Sequence, residues 1–168
     1  MIPDTDIRQS IWISPLGPMR LAASPLGLTG AWFDGDRHGP DTRRTRQWHV
    51  DDAHPVIADA RAQLAAYFEG ESTGFNLPLD LRLGTPFQQL AWLTLGSIGF
   101  GQTITYGELA DRMGRPSASR AAGAAIGRNP LAIIVPCHRV IGSNGSLTGY
   151  AGGLERKLAL LRLEGAWI

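Results

Sequence analysis

The sequence predicts two domains: an α/β domain over residues 1–83, with a small antiparallel sheet and one helix, and a mostly α-helical domain over residues 84–168 that contains a winged helix-turn-helix. Short β-type runs separated by turns fill the start of the chain, whereas helix-capping residues recur after Gly84. The charge also changes sign there, since residues 1–83 hold 8 arginines against 11 acids and residues 84–168 hold 7 arginines and one lysine against 4 acids. A basic second domain suits an anionic partner such as DNA.

Three strands are predicted at the start of the first domain. Residues 10–14, 19–23 and 28–33 have β-type composition, and proline- and glycine-containing turns separate them. This pattern predicts a β-meander. Residues 35–52 are polar and rich in arginine and aspartate, which predicts a mobile surface loop.

One helix and one further strand complete the predicted first domain. Residues 55–69 place apolar side chains at helical spacing, and Gly70 ends the helix. In residues 75–83 an apolar residue, Phe75 and then four leucines, alternates with other residues, which predicts a strand with one buried face. We find no chemical motif in this domain.

The second domain opens with a well-marked helix. Thr85 is a helix cap, Pro86 occupies the first helical position, and Gln88 completes a capping box. A second box runs from Thr105 to Glu108 and opens a short helix that ends near Gly114.

A third helix follows closely, with Ser117 as its predicted cap and Asn129-Pro130 as its end. Two short helices around a tight turn outline a helix-turn-helix, although two helices of an ordinary helical core have the same outline. The third helix consists mostly of alanine and glycine, with Arg120 and Arg128 projecting from it. Such small residues allow close approach to a DNA groove or, equally, to a neighbouring helix.

Three elements are predicted after the third helix. Residues 131–135 are apolar and β-type, which predicts a buried strand. Asn144-Gly145 lies between apolar flanks and predicts a hairpin that would form the wing. A final amphipathic helix is predicted to bury Leu154, Leu158 and Leu161, with Leu163 nearby, and to end near Glu164 and Gly165.

Cys137 is the only cysteine, so the chain has no internal disulfide and too few thiolates for the usual structural zinc sites. The four histidines have no metal-ligand spacing, and we predict no metal. Cys137 is therefore either a small buried hydrophobe or a reactive thiol. His138 follows directly and could serve as its base if the chain bends at Pro136, or through a bridging water if it does not.

The run Ile-Val-Pro-Cys-His-Arg-Val over residues 134–140 resembles the active-site signature of the O6-alkylguanine-DNA alkyltransferases, or methylated-DNA-protein-cysteine methyltransferases. Four more segments match that family in order and spacing, namely residues 105–110, 119–121, 128–130 and 149–154. The similarity is close from about Thr85 to Glu164 and only general before it. For the first domain it implies a ribonuclease H-like fold.

The resemblance implies direct reversal of DNA damage. The alkyl group of O6-alkylguanine, and of O4-alkylthymine, would pass once and irreversibly to Cys137 after the nucleotide is flipped out of the duplex. No cofactor is implied, because the damaged DNA is itself the alkyl donor. The resemblance also implies roles for four other residues: His138 as base through a water, Glu164 as the group that orients it, Asn129 as the residue that stabilises the turn before Cys137, and Tyr106 as the contact to a phosphate and to guanine N3.

The resemblance also implies two groups of contacts. Arg120 would fill the gap left by the flipped nucleotide from the minor-groove side. The other implied DNA contacts are Thr105, Tyr106, Ala121, Ala122, Gly123 and Arg128. The implied lesion pocket consists of Val135, Pro136, Arg139, Tyr150, Ala151 and Gly152. Ala151 stands where relatives often have serine, so only its backbone amide could bond to O6.

Other classes of function stay open on the sequence. A lesion reader or a winged-helix regulator would bind DNA without transfer, but a regulator needs several base-reading side chains on a helix that here is mostly alanine and glycine. A cysteine hydrolase would share Cys137 and His138 but would need a local signature that is missing. No run is long enough to cross a bilayer, and Asp4, Asp6 and Arg8 do not fit a signal peptide. We expect a cytoplasmic monomer that binds double-stranded DNA and no membrane, with cooperative assembly on DNA as an open alternative.

Overall fold

In the computed structural model, which describes residues 1–167, the chain forms two compact units, Met1–Leu83 and a second that begins at Gly84. The first unit carries an antiparallel meander of β1 (Arg8–Ser14), β2 (Gly17–Ser24) and β3 (Gly27–Phe33). The predicted meander is therefore confirmed. Gly27 is needed at the second turn, because its φ is 153° and an added Cβ would lie 2.5 Å from the carbonyl oxygen of Pro78.

The helix α2 (Pro55–Phe68) packs against all three strands of the meander. Its buried residues, Ile57, Ala60, Leu64 and Tyr67, recur every three or four positions, as expected for one apolar face. Gly70 follows the helix with a left-handed φ of 74°. The predicted helix is confirmed.

The prediction of a mobile loop over residues 35–52 is wrong for its second half. This part contains a short helix, α1 (Thr42–Thr45), and a two-residue strand, β4 (His49–Val50), which pairs in parallel with β1. Trp48 is buried, and its indole Nε1 donates to Asp4 Oδ1 at 2.8 Å across 44 positions of sequence. The polarity of residues 35–52 does not reveal a hydrogen bond to a residue so far away in the sequence.

The strand predicted over residues 75–83 is also wrong. The segment joins the sheet at a single bridge, where Leu28 N donates to Pro78 O and Asp80 N donates to Leu28 O, both at 2.8 Å. Pro78 has no N–H with which to extend the ladder. The buried residue of this segment is Asp80, which accepts from Arg82 Nη2 at 2.7 Å, whereas Leu79 is 37% exposed.

The second unit holds the helices α3 (Pro86–Leu95), α4 (Tyr106–Arg112), α5 (Ser119–Gly127) and α6 (Leu154–Leu163), and two short strands, β5 (Ile104–Thr105) and β6 (Val140–Ile141). The predicted capping box of α3 is confirmed: Gln88 N donates to Thr85 Oγ1 at 3.2 Å, and Thr85 N donates to Gln88 Oε1 at 2.9 Å. Thr105 caps α4 by accepting from Glu108 N at 3.1 Å. None of the helices within residues 1–167 combines the length and apolar character needed to cross a membrane.

The helix-turn-helix consists of α4 and α5, which pack against each other. Ala118 is the N-cap of α5 and makes no side-chain cap bond, so the predicted cap at Ser117 is wrong. On another side α5 packs against α3, where Trp92 Nε1 donates to Ala125 O at 2.9 Å. The small residues of α5 thus do permit close packing against neighbouring helices.

The hairpin predicted around Asn144-Gly145 is present only as a turn. Gly142 N donates to Ser146 O at 2.9 Å and closes this turn. Its flanks do not pair with each other, because β6 pairs in parallel with β5, aligning Ile104 with Val140. The wing is therefore a loop, held by contacts described below.

The buried face of α6 differs from the predicted leucine stripe. Leu154 and Leu163 are exposed, at 47% and 38%, whereas Lys157, Leu160 and Leu161 are buried. A stripe that contains a lysine cannot be found by counting apolar residues alone.

Candidate active site

A buried turn carries the chain from the end of α5 to Cys137. Residues 131–135 form this turn in place of the predicted strand, with Val135 N bonded to Leu131 O at 2.9 Å and Ile133 at a left-handed φ of 73°. Asn129 holds the turn: its Oδ1 accepts from Leu131 N at 2.9 Å, and its Nδ2 donates to Val135 O at 2.7 Å. The strand prediction is wrong because one buried amide side chain satisfies the backbone groups that a neighbouring strand would otherwise bond.

Cys137, His138 and Arg139 form a single turn of 3₁₀ helix. The chain bends at Pro136, after which Cys137 N donates to Val135 O at 2.9 Å and Arg139 N donates to Pro136 O at 3.1 Å. Of the two arrangements considered for Cys137 and His138, a straight strand is therefore ruled out. Cys137 is half-buried and His138 is completely buried.

His138 and Arg139 share one buried carboxylate, that of Glu164 at the C-terminal end of α6. His138 Nε2 lies 2.9 Å from Glu164 Oε1. Arg139 donates from Nη2 to Oε1 at 2.7 Å and from Nε to Oε2 at 3.0 Å, which is the paired geometry that suits guanidinium and carboxylate. Arg139 Nη1 also donates to Ile98 O at 2.6 Å. The last turn of α6 is thereby fastened to the Cys137 segment.

The protonation states of this network follow from its burial and partners. Burial alone would raise the pKa of Glu164, but the hydrogen bonds that it accepts from His138 and Arg139, together with the charge of Arg139, lower it to about 2. Burial lowers the pKa of His138, and the hydrogen bond and charge of Glu164 oppose this only in part. Glu164 is thus a carboxylate whose charge is balanced by Arg139, and His138 is a neutral imidazole that donates its Nε2–H.

A neutral imidazole that donates from Nε2 has its lone pair on Nδ1. This Nδ1 atom of His138 is buried and has no hydrogen-bond partner within residues 1–167. It is the basic atom that the network leaves available to accept a proton.

Arg139 does not belong to a lesion pocket, and that assignment is corrected. The residue is 6% exposed, its guanidinium is bonded to Glu164 and Ile98 O, and its Cζ lies 5.9 Å from the centre of the Phe100 ring. A side chain with these bonds cannot also contact a substrate. The other proposed pocket residues are buried (Val135, Pro136) or half-buried (Tyr150, Ala151, Gly152).

Tyr106 begins α4 and lies beside both the loop after β6 and the helix α5. Its hydroxyl donates to Thr148 O at 3.2 Å. A Cβ added to Gly123 of α5 would lie 3.3 Å from Tyr106 Cδ1, so glycine there lets the ring sit close to the helix. Thr105, half-buried, is occupied in capping α4.

The exposed surface of α5 is narrower than predicted. Arg120, Ala121 and Arg128 are exposed and Gly123 is half-buried. Ala122 is fully buried, so its side chain cannot reach DNA, and its assignment as a DNA contact is corrected. Ala122 instead belongs to the packed side of the helix.

Lys157 is the functional candidate that the sequence reasoning missed. It is 1% exposed, and its ammonium donates to the carbonyl oxygens of Val140 at 2.6 Å, Thr148 at 2.7 Å and Gly149 at 3.2 Å. The sequence did contain a signal, since Lys157 is the only lysine of the chain and lies three residues after Leu154 and four before Leu161. A lysine at the centre of an apolar stripe indicates a buried ammonium with specific partners, because lysine is almost never fully buried unless it is paired.

Comparison with known families agrees with this geometry. Residues 86–166 match the model of the DNA-binding domain of 6-O-methylguanine DNA methyltransferase, and residues 7–81 match that of its ribonuclease-like domain. The methylated-DNA--protein-cysteine methyltransferase of Mycobacterium tuberculosis is 51% identical over 151 residues, which are 90% of this chain and 88% of the relative. That of Methanosarcina acetivorans is 45% identical over 161 residues, 94% of this chain and 97% of the relative.

Solved structures give the same relationship. The crystal structure of Mycobacterium tuberculosis OGT in complex with DNA matches with a TM-score of 0.86 and 48% identity, over 95% of this chain and 93% of that one. The O6-methylguanine-DNA methyltransferase of Pyrococcus kodakaraensis shares the fold, with a TM-score of 0.68 at 24% identity over 95% of this chain and 99% of that one. Since the two family models together span nearly all of the sequence, the chain belongs to the 6-O-methylguanine DNA methyltransferase family.

Proposed function

We propose that this protein repairs DNA by moving the alkyl group from O6 of a damaged guanine to Sγ of Cys137. The observation that carries the proposal is the buried Glu164 carboxylate, which bonds both His138 and Arg139 beside the single, half-buried cysteine. Relatives named methylated-DNA--protein-cysteine methyltransferases support it.

The base in this proposal is His138. Its Nε2–H donates to Glu164. Although the chain bends at Pro136, Nδ1 has no hydrogen-bond partner within residues 1–167, so in this proposal it takes up the thiol proton of Cys137 through a water molecule and not directly. The thiolate then attacks the alkyl carbon in line with the bond to O6. The C–S bond forms as the C–O6 bond breaks, and the electron pair of the broken bond stays on the guanine, which is protonated as it leaves.

Guanine departure is assisted by Tyr106 in this proposal. Its hydroxyl, which now donates to Thr148 O, turns to donate to N3 of the purine. Backbone carbonyls near Val135 and Cys137 and the amide of Ala151 hold the rest of the base. O4-alkylthymine presents the same type of C–O bond and is a second expected substrate.

The lesion lies inside the duplex, so we propose that the nucleotide is flipped out before transfer. Arg120, exposed at the start of α5, enters from the minor groove and stacks in the vacated space. Further backbone or side-chain contacts to the DNA come from Thr105, Ala121, Gly123 and Arg128. We expect a cytoplasmic monomer, with the first unit acting as a scaffold and cooperative assembly on DNA as an alternative.

The reaction is a single turnover in this proposal. Removal of the alkyl group from the neutral thioether would have to expel the Cys137 thiolate, which is a poor leaving group, and no group named in this mechanism would accept the alkyl group. The protein is therefore consumed in proportion to the damage repaired.

Intact mass spectrometry tests the proposal. After incubation with duplex DNA containing O6-methylguanine, the peptide with Cys137 should gain one CH2 group, and the total gain should not exceed one per protein. Undamaged duplex and the Cys137→Ser variant are the controls, and both should leave the mass unchanged. Tight lesion binding without a mass change would instead indicate a reader, and repeated product formation would indicate a different enzyme.

A further inference from the structure

The proposed mechanism makes no use of Lys157, although this ammonium is buried and forms no ion pair with a carboxylate within residues 1–167. We propose that Lys157 is a positioning residue for alkyl transfer: its ammonium joins the strand after Cys137 to the loop before the lesion pocket and is the counter-charge of the Cys137 thiolate. This inference rests on the proposed function, since it assigns a role within the same site.

The hydrogen bonds of Lys157 connect two separate segments. Val140 directly follows the 3₁₀ turn Cys137–Arg139, and Lys157 Nζ donates to its carbonyl at 2.6 Å. Thr148 and Gly149 directly precede Tyr150, and their carbonyls accept from the same nitrogen at 2.7 Å and 3.2 Å. An ammonium has three N–H donors, so all three are used. One charged group therefore fixes the distance between the nucleophile's segment and the proposed pocket.

Thr148 O also accepts from Tyr106 at 3.2 Å, so two groups of the site hold the same loop. This explains how the loop after β6 keeps its place without the ladder of a hairpin. If Tyr106 turns toward guanine, Lys157 alone continues to hold Thr148.

The charge of Lys157 requires a second explanation, because its hydrogen-bond partners are neutral. Within residues 1–167 the ammonium forms no ion pair with a carboxylate, and Glu164 is already bonded to His138 and Arg139. A buried ammonium without an anion is costly. Burial accordingly lowers the pKa of Lys157 to about 8, and the charge of Cys137 is the effect that opposes this.

Attraction between two charges is mutual. If the Cys137 thiolate stabilises the ammonium of Lys157, then the ammonium stabilises the thiolate to the same extent. The charged or titratable groups of the neighbouring segments are His138, Arg139, Glu164, Tyr106, Tyr150 and Arg156, the last of which donates to Gly152 O at 3.1 Å. Arg139 and Glu164 form a pair of opposite charges, and His138 is a cation only while it holds the thiol proton. Lys157 is therefore a buried cation of this site that no carboxylate within residues 1–167 balances.

Transfer should change the state of Lys157. The thiolate carries one negative charge and the thioether carries none, whereas the ammonium is not a reactant. Alkylation of Cys137 therefore removes the counter-charge of Lys157 and weakens the group that holds Val140, Thr148 and Gly149 together.

The single lysine makes this directly measurable in the native chain. Protein grown with ¹³Cε-lysine gives one lysine side-chain NMR signal, and its pH titration reports the pKa of Lys157. We expect this pKa to be lower by about 1 unit, as for loss of a nearby opposite charge, after Cys137 is alkylated with iodoacetamide. The same decrease is expected in Cys137→Ser, which removes the anion without adding bulk. Equal pKa values in all three proteins would overturn the proposal.

A second measurement tests the effect on Cys137. In Lys157→Met, the pH at which iodoacetamide reacts at half its maximal rate should rise by about 1 unit, while the maximal rate at high pH stays within about threefold. Arg162→Met, which removes an exposed cation from the same helix, is the matched control and should leave the profile unchanged. An unchanged midpoint in Lys157→Met would reduce Lys157 to a structural contact.

Two design features keep these tests decisive. Iodoacetamide reacts with any accessible thiolate, so its result does not depend on DNA repair. If methyl transfer from DNA is absent but the charges of Lys157 and Cys137 still influence each other, the proposed function is contradicted and the role of Lys157 is not. If Lys157→Met fails to fold, the lysine titration of the native chain and of Cys137→Ser still decides the question.

Discussion

At the scale of single residues, the site depends on how one carboxylate is shared. Arg139 supplies the positive charge that keeps Glu164 ionised, and His138 supplies a hydrogen bond that fixes its own tautomer. These two tasks are different, because a lone His–Glu pair would favour a charged imidazole, which is no longer a base. Burial is the main reason that His138 stays neutral, and the charge of Arg139 adds to this effect, so Arg139 acts on the cysteine only indirectly.

The variant Glu164→Gln tests this division of roles. An amide cannot balance the charge of Arg139, so we expect the protein to lose about 3 kcal/mol of its free energy of unfolding. The rate of methyl transfer in a single-turnover assay should fall on the order of 100-fold, because the base loses its orientation. Glu155→Gln, an exposed change on the same helix, is the control and should alter neither quantity. A destabilised variant with an unchanged transfer rate would refute the orienting role.

At the scale of elements, α5 uses small residues on both of its sides. On one side Ala122 and Ala125 are buried where α5 packs against α3 and α4. On the other side Arg120 and Ala121 are exposed. The two interpretations of its bare composition, close packing and close approach to DNA, are therefore compatible, since each concerns a different face.

Arg120→Ala separates flipping from chemistry. We expect about a tenfold slower transfer from O6-methylguanine in duplex DNA, the equivalent of one lost stacking contact. Transfer from free O6-benzylguanine should be unchanged, because a free base needs no extrusion. Arg115→Ala, which removes an exposed arginine from the turn before α5, is the comparison variant. Equal losses on both substrates would contradict the proposed role of Arg120.

At the scale of the whole molecule, each unit contains one deeply buried carboxylate with a strongly lowered pKa. The hydrogen bond from Arg82 lowers the pKa of Asp80 from 3.8 to about 2, and the network around Glu164 lowers its pKa from 4.5 to about 2. Each unit thus relies on an ionised acid that ties a chain segment to its core.

Acid should destabilise both units for this reason. A lowered folded-state pKa contributes stability that is complete above the unfolded-state value and is lost as the pH falls toward the folded-state value. We expect the thermal unfolding midpoint to decrease as the pH is lowered from 4.5 to about 2. Each carboxylate should contribute on the order of 2 kcal/mol to the free energy of unfolding at neutral pH. Asp80→Asn and Glu164→Gln should each flatten this dependence, and the exposed changes Glu71→Gln and Glu155→Gln should not. A slope that is the same in all four variants would argue against these two groups.

The sequence by itself determined the meander, the helix α2, the capped helices α3 and α4, and the Cys137-His138 motif. These features depend on local causes: capping residues, glycine in turns, and the period of apolar side chains along one element. The local pattern gave a wrong prediction at residues 131–135. Their β-type composition predicted a strand, but it reflects burial in a turn that Asn129 holds.

Only the tertiary structure decided which polar groups meet. Glu164 lies 26 positions from His138, Lys157 lies 17 positions from Val140, and Trp48 lies 44 positions from Asp4. No local pattern encodes such pairs, because a buried charge is tolerated only where its partners converge from distant segments. For the same reason the sequence assigned Arg139 to a pocket and gave no role to Lys157, whereas folding places both in the interior with specific acceptors.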